Sequence, residues 1–187
     1  LDILVHCAAH VGTAQAPGDF TGTSTTVSFA PGETQKSVVV PVNGDTIDEL
    51  DEAFAVNLTG PTNATLVRAQ GTGTIIDNDT AGLSINDVTV AEGDSGTTNA
   101  DFSVTLSVAS DRTVTVSLQT QNGSAVSPAD YAAIAQTTVS FNAGETQKTV
   151  AVAVNGDTTP EVAETFTAIL SASTNAAIVR SIGTATI

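Results

Sequence analysis

The sequence predicts an all-β protein built from two tandem antiparallel β-sandwiches. Three observations carry that expectation. Apolar and polar residues alternate over short runs punctuated by turn residues, the period of a half-buried strand. Apolar residues make up 41% of the chain but aromatics only 4%, so the core must be mostly Val, Ile, Leu, Ala and Thr methyl groups, which favour strands. A long segment also recurs: TVSFAPGETQKSVVVPVNGDTIDELDEAF (26–54) returns 112 residues later as TVSFNAGETQKTVAVAVNGDTTPEVAETF (138–166). Upstream, GTAQAPGDF matches GSAVSPADY at an offset of 111, so the repeating unit is the size of one sandwich domain.

Taken in order, the chain opens on LDILVHCAAH, which aligns as the third strand of the first repeat and sets Cys7 against Leu118. His6 and His10 are then strand-face residues. In the second repeat, strands are expected at 83–90, 100–107, 113–120, 137–141, 148–154, 165–171 and 183–187. Asn43-Gly44, Asn122-Gly123 and Asn155-Gly156 read as turns between them. Only SPADYAAIA has room for a helical turn. The boundaries expected from the repeat are 1–79 and 80–187. The first repeat has no counterpart of the two strands between Leu83 and Ser107, and the second has no counterpart of the Asp77-Asn78-Asp79 tail. A sandwich without its first two strands exposes a core face and strand edges. Those strands are expected from upstream in the polypeptide or from a neighbouring chain. The lack of Met and of a signal peptide reads as a mature protein or part of something longer.

Charge narrows the function. Twenty acidic residues oppose five basic ones, a formal charge of −15. Phosphate neutralisation needs Lys and Arg, so nucleic acid is not an expected partner. No run is long enough to span a membrane as a helix. Cys7 is the only cysteine and cannot form a disulfide within the chain. Small domains without disulfides need another staple, and metal is a common one.

The densest acid lies in one loop: Asp45, Asp48, Glu49, Asp51 and Glu52. Carboxylates packed within a few ångströms repel and raise one another's pKa, a penalty that a hard divalent cation removes. Calcium takes roughly 6–8 oxygen ligands, which such loops supply, whereas zinc would want a Cys/His pattern the chain lacks. The repeat retains Asp45, Glu49 and Glu52 as Asp157, Glu161 and Glu164, but replaces Asp48 and Asp51 by Pro160 and Ala163. The three shared acids are therefore the expected ligand frame. Asp77 and Asp79 follow the last strand of the first repeat and are expected at the same apex. Glu92, beside Asp94, lies between the first two strands of the second repeat, and Asn122 ends a strand reaching the same end.

With these residues in view, LSINDVTVAEGDSG, GSAVSPADY, the 138–166 segment and the closing GTGTIIDND resemble Calx-beta domains. The resemblance covers nearly the whole chain from about Gly12. It implies a Greek-key sandwich related to the immunoglobulin architecture, with calcium held at one apex. By motif it assigns Asp45, Glu49, Glu52, Asp77 and Asp79 to the first site. It assigns Glu92, Asp157, Glu161 and Glu164 to the second, with a main-chain carbonyl at Ile47 or Thr159 added. Asn78 stands where stronger binders carry Asp, and Val11 where they carry an acid that is Asn122 in the second repeat. Both sites are expected to bind weakly, in the roughly 10⁻⁴–10⁻³ M range of extracellular modules.

No catalytic constellation is evident, so an enzyme is not expected. The expected role is a calcium-binding structural repeat of a secreted or cell-surface protein. Calcium would rigidify a multi-domain rod used in adhesion, matrix or filament assembly, with neighbouring repeats or subunits as partners, through strand addition among other routes. The alternatives are a regulatory calcium-sensor tandem like that of sodium/calcium exchangers, or a non-catalytic repeat region of a secreted enzyme.

Overall fold

The computed structural model describes residues 1–187, all of them strand, turn or loop. No helix is long and apolar enough to cross a membrane. The chain forms two compact units: Leu1–Asp45 with Leu50–Asn78, and Asp79–Ile187 with the short segment Thr46–Glu49.

The first unit holds β1 (Ile3–His10), β2 (Ser24–Phe29), β3 (Glu52–Thr62) and β4 (Gln70–Ile75) in one sheet of order β2-β1-β3-β4, antiparallel throughout. Its buried cluster is small: Ala14, Phe20 and Phe54, with Ala9, Val40, Val56 and Ile75 packed against it. Phe20 stacks on Phe54 with ring centroids 4.8 Å apart.

The second unit continues with β5 (Gly82–Ile85), β6 (Val88–Thr89), β7 (Thr97–Leu106), β8 (Val114–Asn122), β9 (Thr137–Phe141), β10 (Gln147–Asn155), β11 (Thr165–Thr174), β12 (Ala177–Arg180) and β13 (Ile182–Thr186). They form two sheets, β10-β7-β5-β12 and β6-β13-β11-β8-β9. Inward residues of both sheets close a single core around Phe102, Phe141, Phe166, Tyr131, Leu118 and Val154. The Tyr131 and Phe166 rings stack at 4.0 Å, and Phe102 meets Phe166 edge-on at 6.1 Å. These arrangements match the preferred geometries of aromatic pairs.

The sheets are mainly antiparallel, as expected, but β12 pairs with β5 and β13 with β6 in parallel. The expected strand over 83–90 is cut in two because the chain passes from one sheet to the other at Asn86-Asp87. Their side chains hold the crossing. Asn86 Oδ1 accepts the Ser103 amide at 2.6 Å, and Asp87 Oδ1 accepts both the Thr184 amide and the Arg180 guanidinium. The alignment of the two repeats is reproduced in the register: Cys7 lies opposite Leu58, as Leu118 lies opposite Leu170. SPADYAAIA contains one turn, with the Asp130 amide bonded to the Val126 carbonyl.

The three Asn-Gly pairs are not positive-φ turns, since none of their glycines is among the residues with positive φ. Two are places where backbone meets backbone. A β-carbon on Gly123 would lie 2.3 Å from the Thr165 carbonyl oxygen, and one on Gly156 would lie 2.5 Å from that of Gly93.

Within the second unit Asp48 is buried and ion-paired with Arg112 at 2.8 Å. Its amide and carbonyl also bond to Ala109, Ser110 and Asp111. This acid from the dense loop serves as an ion-pair partner, in keeping with its replacement by Pro160 in the second repeat.

Candidate metal centre

In the second unit β10 ends at Asn155 and β11 begins at Thr165, and the connection carries Asp157, Glu161 and Glu164. Glu164 is tied to the last strand by reciprocal backbone bonds with Ile187. Gly156 admits the Glu92-Gly93 backbone next to the same connection, and the Gly156 amide bonds to the Gly96 carbonyl. Glu92, Asp157, Glu161 and Glu164 all line one open cleft of about 600 Å³. The structure therefore gathers all four sequence-predicted acids of the second repeat at one apex.

One member was missed. Asp130, at the end of the 126–130 turn, offers a carboxylate oxygen within 4.8 Å of those of Glu161 and Glu164. One of its oxygens also accepts the Val126 amide at 2.6 Å, which fixes the turn. The first repeat forms the same group from the aligned residues: Asp19, Glu49 and Glu52 lie within 4.8 Å of one another. Asp19 likewise caps its own turn through the Gln15 amide. The sequence did contain a signal, because GTAQAPGDF and GSAVSPADY share this Asp.

Of the remaining first-repeat acids, Asp45 is exposed, and Asp77 and Asp79 are half-buried. The Asp77 amide bonds to Asp51, which places it near the start of β3, where Glu52 lies opposite Ile75. Neither Asp45, Asp77 nor Asp79 belongs to the three-acid group. Asn122 is not among the residues lining the cleft, and its amide oxygen is engaged within the protein. That oxygen accepts the Tyr131 hydroxyl at 2.6 Å and the Ser127 amide at 3.1 Å. Asp157 accepts the Thr159 amide at 2.6 Å in a local turn.

Electrostatics match this crowding. The Glu161 carboxyl is pushed above its ordinary range by desolvation, then by the charges of Asp157, Glu92 and Asp130. Glu164 is raised by desolvation, by a hydrogen bond with Asp130, and by the charges of Asp130, Glu161 and Glu92. Desolvation and mutual repulsion thus penalise the charged form of both carboxyls, a penalty that a bound cation would remove. Its donors are all oxygens and include no imidazole or thiolate, which suits a hard cation such as calcium. The residues present thus fit the ion.

The profile of the Calx-beta domain family matches residues 2–89 and again 77–187. Among solved structures, CBD12 from CALX1.2 is similar over 100% of this chain and 87% of its own, at 21% identity and a TM-score of 0.49. The apo-form Calx CBD1 domain matches 58% of this chain and 96% of its own, at 20% identity and a TM-score of 0.52. At this identity the likeness bears on fold alone. Among curated protein sequences, none matches significantly.

Proposed function

The chain belongs to the Calx-beta domain family, whose members bind calcium, and we propose that it is a calcium-binding structural repeat of a secreted or cell-surface protein. In this reading calcium stiffens consecutive repeats, with boundaries at 1–79 and 80–187, into a rod used in adhesion, matrix or filament assembly. The single observation that carries the calcium sites is recurrence. Two segments about 110 residues apart in sequence close the same Asp-Glu-Glu group, from Asp19, Glu49 and Glu52 and from Asp130, Glu161 and Glu164.

Bound calcium would supply the positive charge that these carboxylates lack. In the second repeat, Glu161 and Glu164 would hold the ion, with Asp130, Asp157 and Glu92 completing the shell. In the first, Glu49 and Glu52 would do so with Asp19, Asp45, Asp77 and Asp79. The chain's own residues prepare the site. Gly156 brings the Glu92 backbone close, and the turn caps at Gln15 and Val126 fix the two Asp side chains.

A regulatory sensor, like that of sodium/calcium exchangers, is the alternative, since membership of the Calx-beta family fits it equally. The two readings differ in affinity: a structural repeat binds near 10⁻⁴–10⁻³ M and a sensor near 10⁻⁷–10⁻⁵ M, to order of magnitude. Thermal melting with calcium and with chelator tests the site. At tenfold excess over Kd, binding adds about 1.4 kcal/mol, or roughly 5–10 °C for a domain of this size. The Asp45→Ala, Glu49→Ala, Asp77→Ala variant should lose part of that shift. An unchanged shift in the variant would remove these residues from the ligand set.

A further inference from the structure

One sheet of the second unit is free of charge. Its strands β6, β8, β9, β11 and β13 contain no Asp, Glu, Lys or Arg. The chain has 20 acidic and 5 basic residues, and all of them lie elsewhere. The other sheet of the same sandwich carries Asp101, Lys148 and Arg180 on its strands. Strand propensity alone therefore does not account for the difference.

Register defines what this sheet shows to water. On β11, Phe166, Ala168 and Leu170 point into the core, so Thr167 and Ile169 point out. Thr167 lies opposite Thr184 on one side and Gln121 on the other. Ile169 lies opposite Ile182 and Gln119 in the same way. Ile182 is 48% exposed, and both glutamines are exposed. The face thus has an aliphatic pair on its inner strands, surrounded by hydroxyls and amides. Asp87, at its margin, is ion-paired with Arg180 at 2.6 Å.

That composition belongs to the middle of a protein–protein interface, where charge is depleted and apolar groups are ringed by polar ones. Charge also selects the partner. Two copies of a chain with formal charge −15 repel wherever each brings carboxylates, and this face brings none. A basic partner would be steered to the acidic loops instead. Hydroxyls and amides both donate and accept hydrogen bonds, so the face is complementary to itself.

We propose that the outer face of β6-β13-β11-β8-β9 is a docking surface for a second copy of this chain, sheet against sheet. Facing sheets pack about 10 Å apart. The Ile169–Ile182 pairs of the two copies then bury one another, and Thr and Gln side chains bond around them. Strands about 4.8 Å apart, rising about 3.3 Å per residue, give the face roughly 500 Å². A standard interface takes about 800 Å² per partner, so this contact is weak, with a Kd of roughly 0.1–1 mM. Weak contacts of this kind add up when several repeats are joined. This inference is independent of the calcium sites.

The test uses the full chain in chelator, so that calcium does not enter. Sedimentation equilibrium should show a reversible dimer. The methyl NMR shifts of Ile169 and Ile182 should move with concentration, while those of the buried Ile85 stay fixed. Added salt should strengthen the association, because it screens the −15 charge and the face has no ion pairs to lose. Gln119→Glu with Gln121→Glu brings carboxylates into the face and should weaken the dimer by roughly tenfold or more. Thr149→Glu, exposed on the other sheet, should leave it unchanged. Unchanged amide protection in β7, β8 and β11 certifies that both variants remain folded. A native chain still monomeric at about 1 mM overturns the proposal, whatever other protein or polysaccharide it binds. So does a dimer that salt weakens, that leaves the Ile169 and Ile182 shifts unmoved, or that the two variants affect equally.

Discussion

At Asp130 one side chain does two jobs: an oxygen closes the 126–130 turn, and the carboxylate lies within 4.8 Å of those of Glu161 and Glu164. Asp130→Asn keeps the turn cap, because its amide oxygen still accepts, but removes a charge from the apex. Calorimetry should show weaker calcium binding in the second repeat, by roughly tenfold, with little change in melting under chelator. The raised carboxyls Glu161 and Glu164 also give a pH signature. A carboxyl whose folded pKa is raised adds stability below its ordinary value of 4.5, and that stability fades as pH rises through the folded value. Glu33, Asp87 and Glu145 are lowered, chiefly by Lys36, Arg180 and Lys148, so their contribution is lost only on stronger acidification. The calcium-free chain should therefore gain melting temperature as pH is lowered from neutrality towards the ordinary carboxyl value. With saturating calcium the trend should reverse, because protons compete for the ligands. Glu161 and Glu164 were legible in the sequence because the repeat kept them. The repeat kept Asp19 and Asp130 as well, but each lies some thirty residues away on a turn where Asp is an ordinary cap, so the shared Asp did not single itself out.

At the scale of elements, the glycine before the acidic connection sets how closely two loops approach. Gly156→Ala would place a methyl 2.5 Å from the Gly93 carbonyl oxygen. Backbone cannot yield cheaply there, so a cost of about 1–3 kcal/mol is expected by analogy with overpacking, together with weaker calcium binding as Glu92 is displaced. The paired valines offer a cleaner comparison. Val154→Ala should cost about 1.5–3 kcal/mol in chelator, and Val42→Ala no more than about 0.5 kcal/mol, because only Val154 is buried. Urea melts followed by core amide exchange in each unit would measure both. Strand content was readable from alternation. The break at Asn86-Asp87 was not readable. An unbroken alternating run carries no mark of a chain changing sheets, and only the side-chain bonds to Ser103 and Thr184 reveal it.

For the whole molecule, charge is the dominant feature. A formal charge of −15 spread over 187 residues repels itself, and salt should raise the melting point of the calcium-free chain by screening. Screening alone, however, does not distinguish one repeat from the other. The central claim is that each repeat gathers its own calcium ligands around an Asp-Glu-Glu group. Calorimetric titration of calcium at constant ionic strength tests it most directly, comparing the native chain with two variants. One carries Asp19→Asn, Glu49→Gln and Glu52→Gln, and the other Asp130→Asn, Glu161→Gln and Glu164→Gln. The account predicts that each variant loses one binding event and keeps the other. Identical titrations of all three proteins, or no calcium heat in the native chain up to about 10 mM, ten times the weakest affinity expected of such modules, would contradict it.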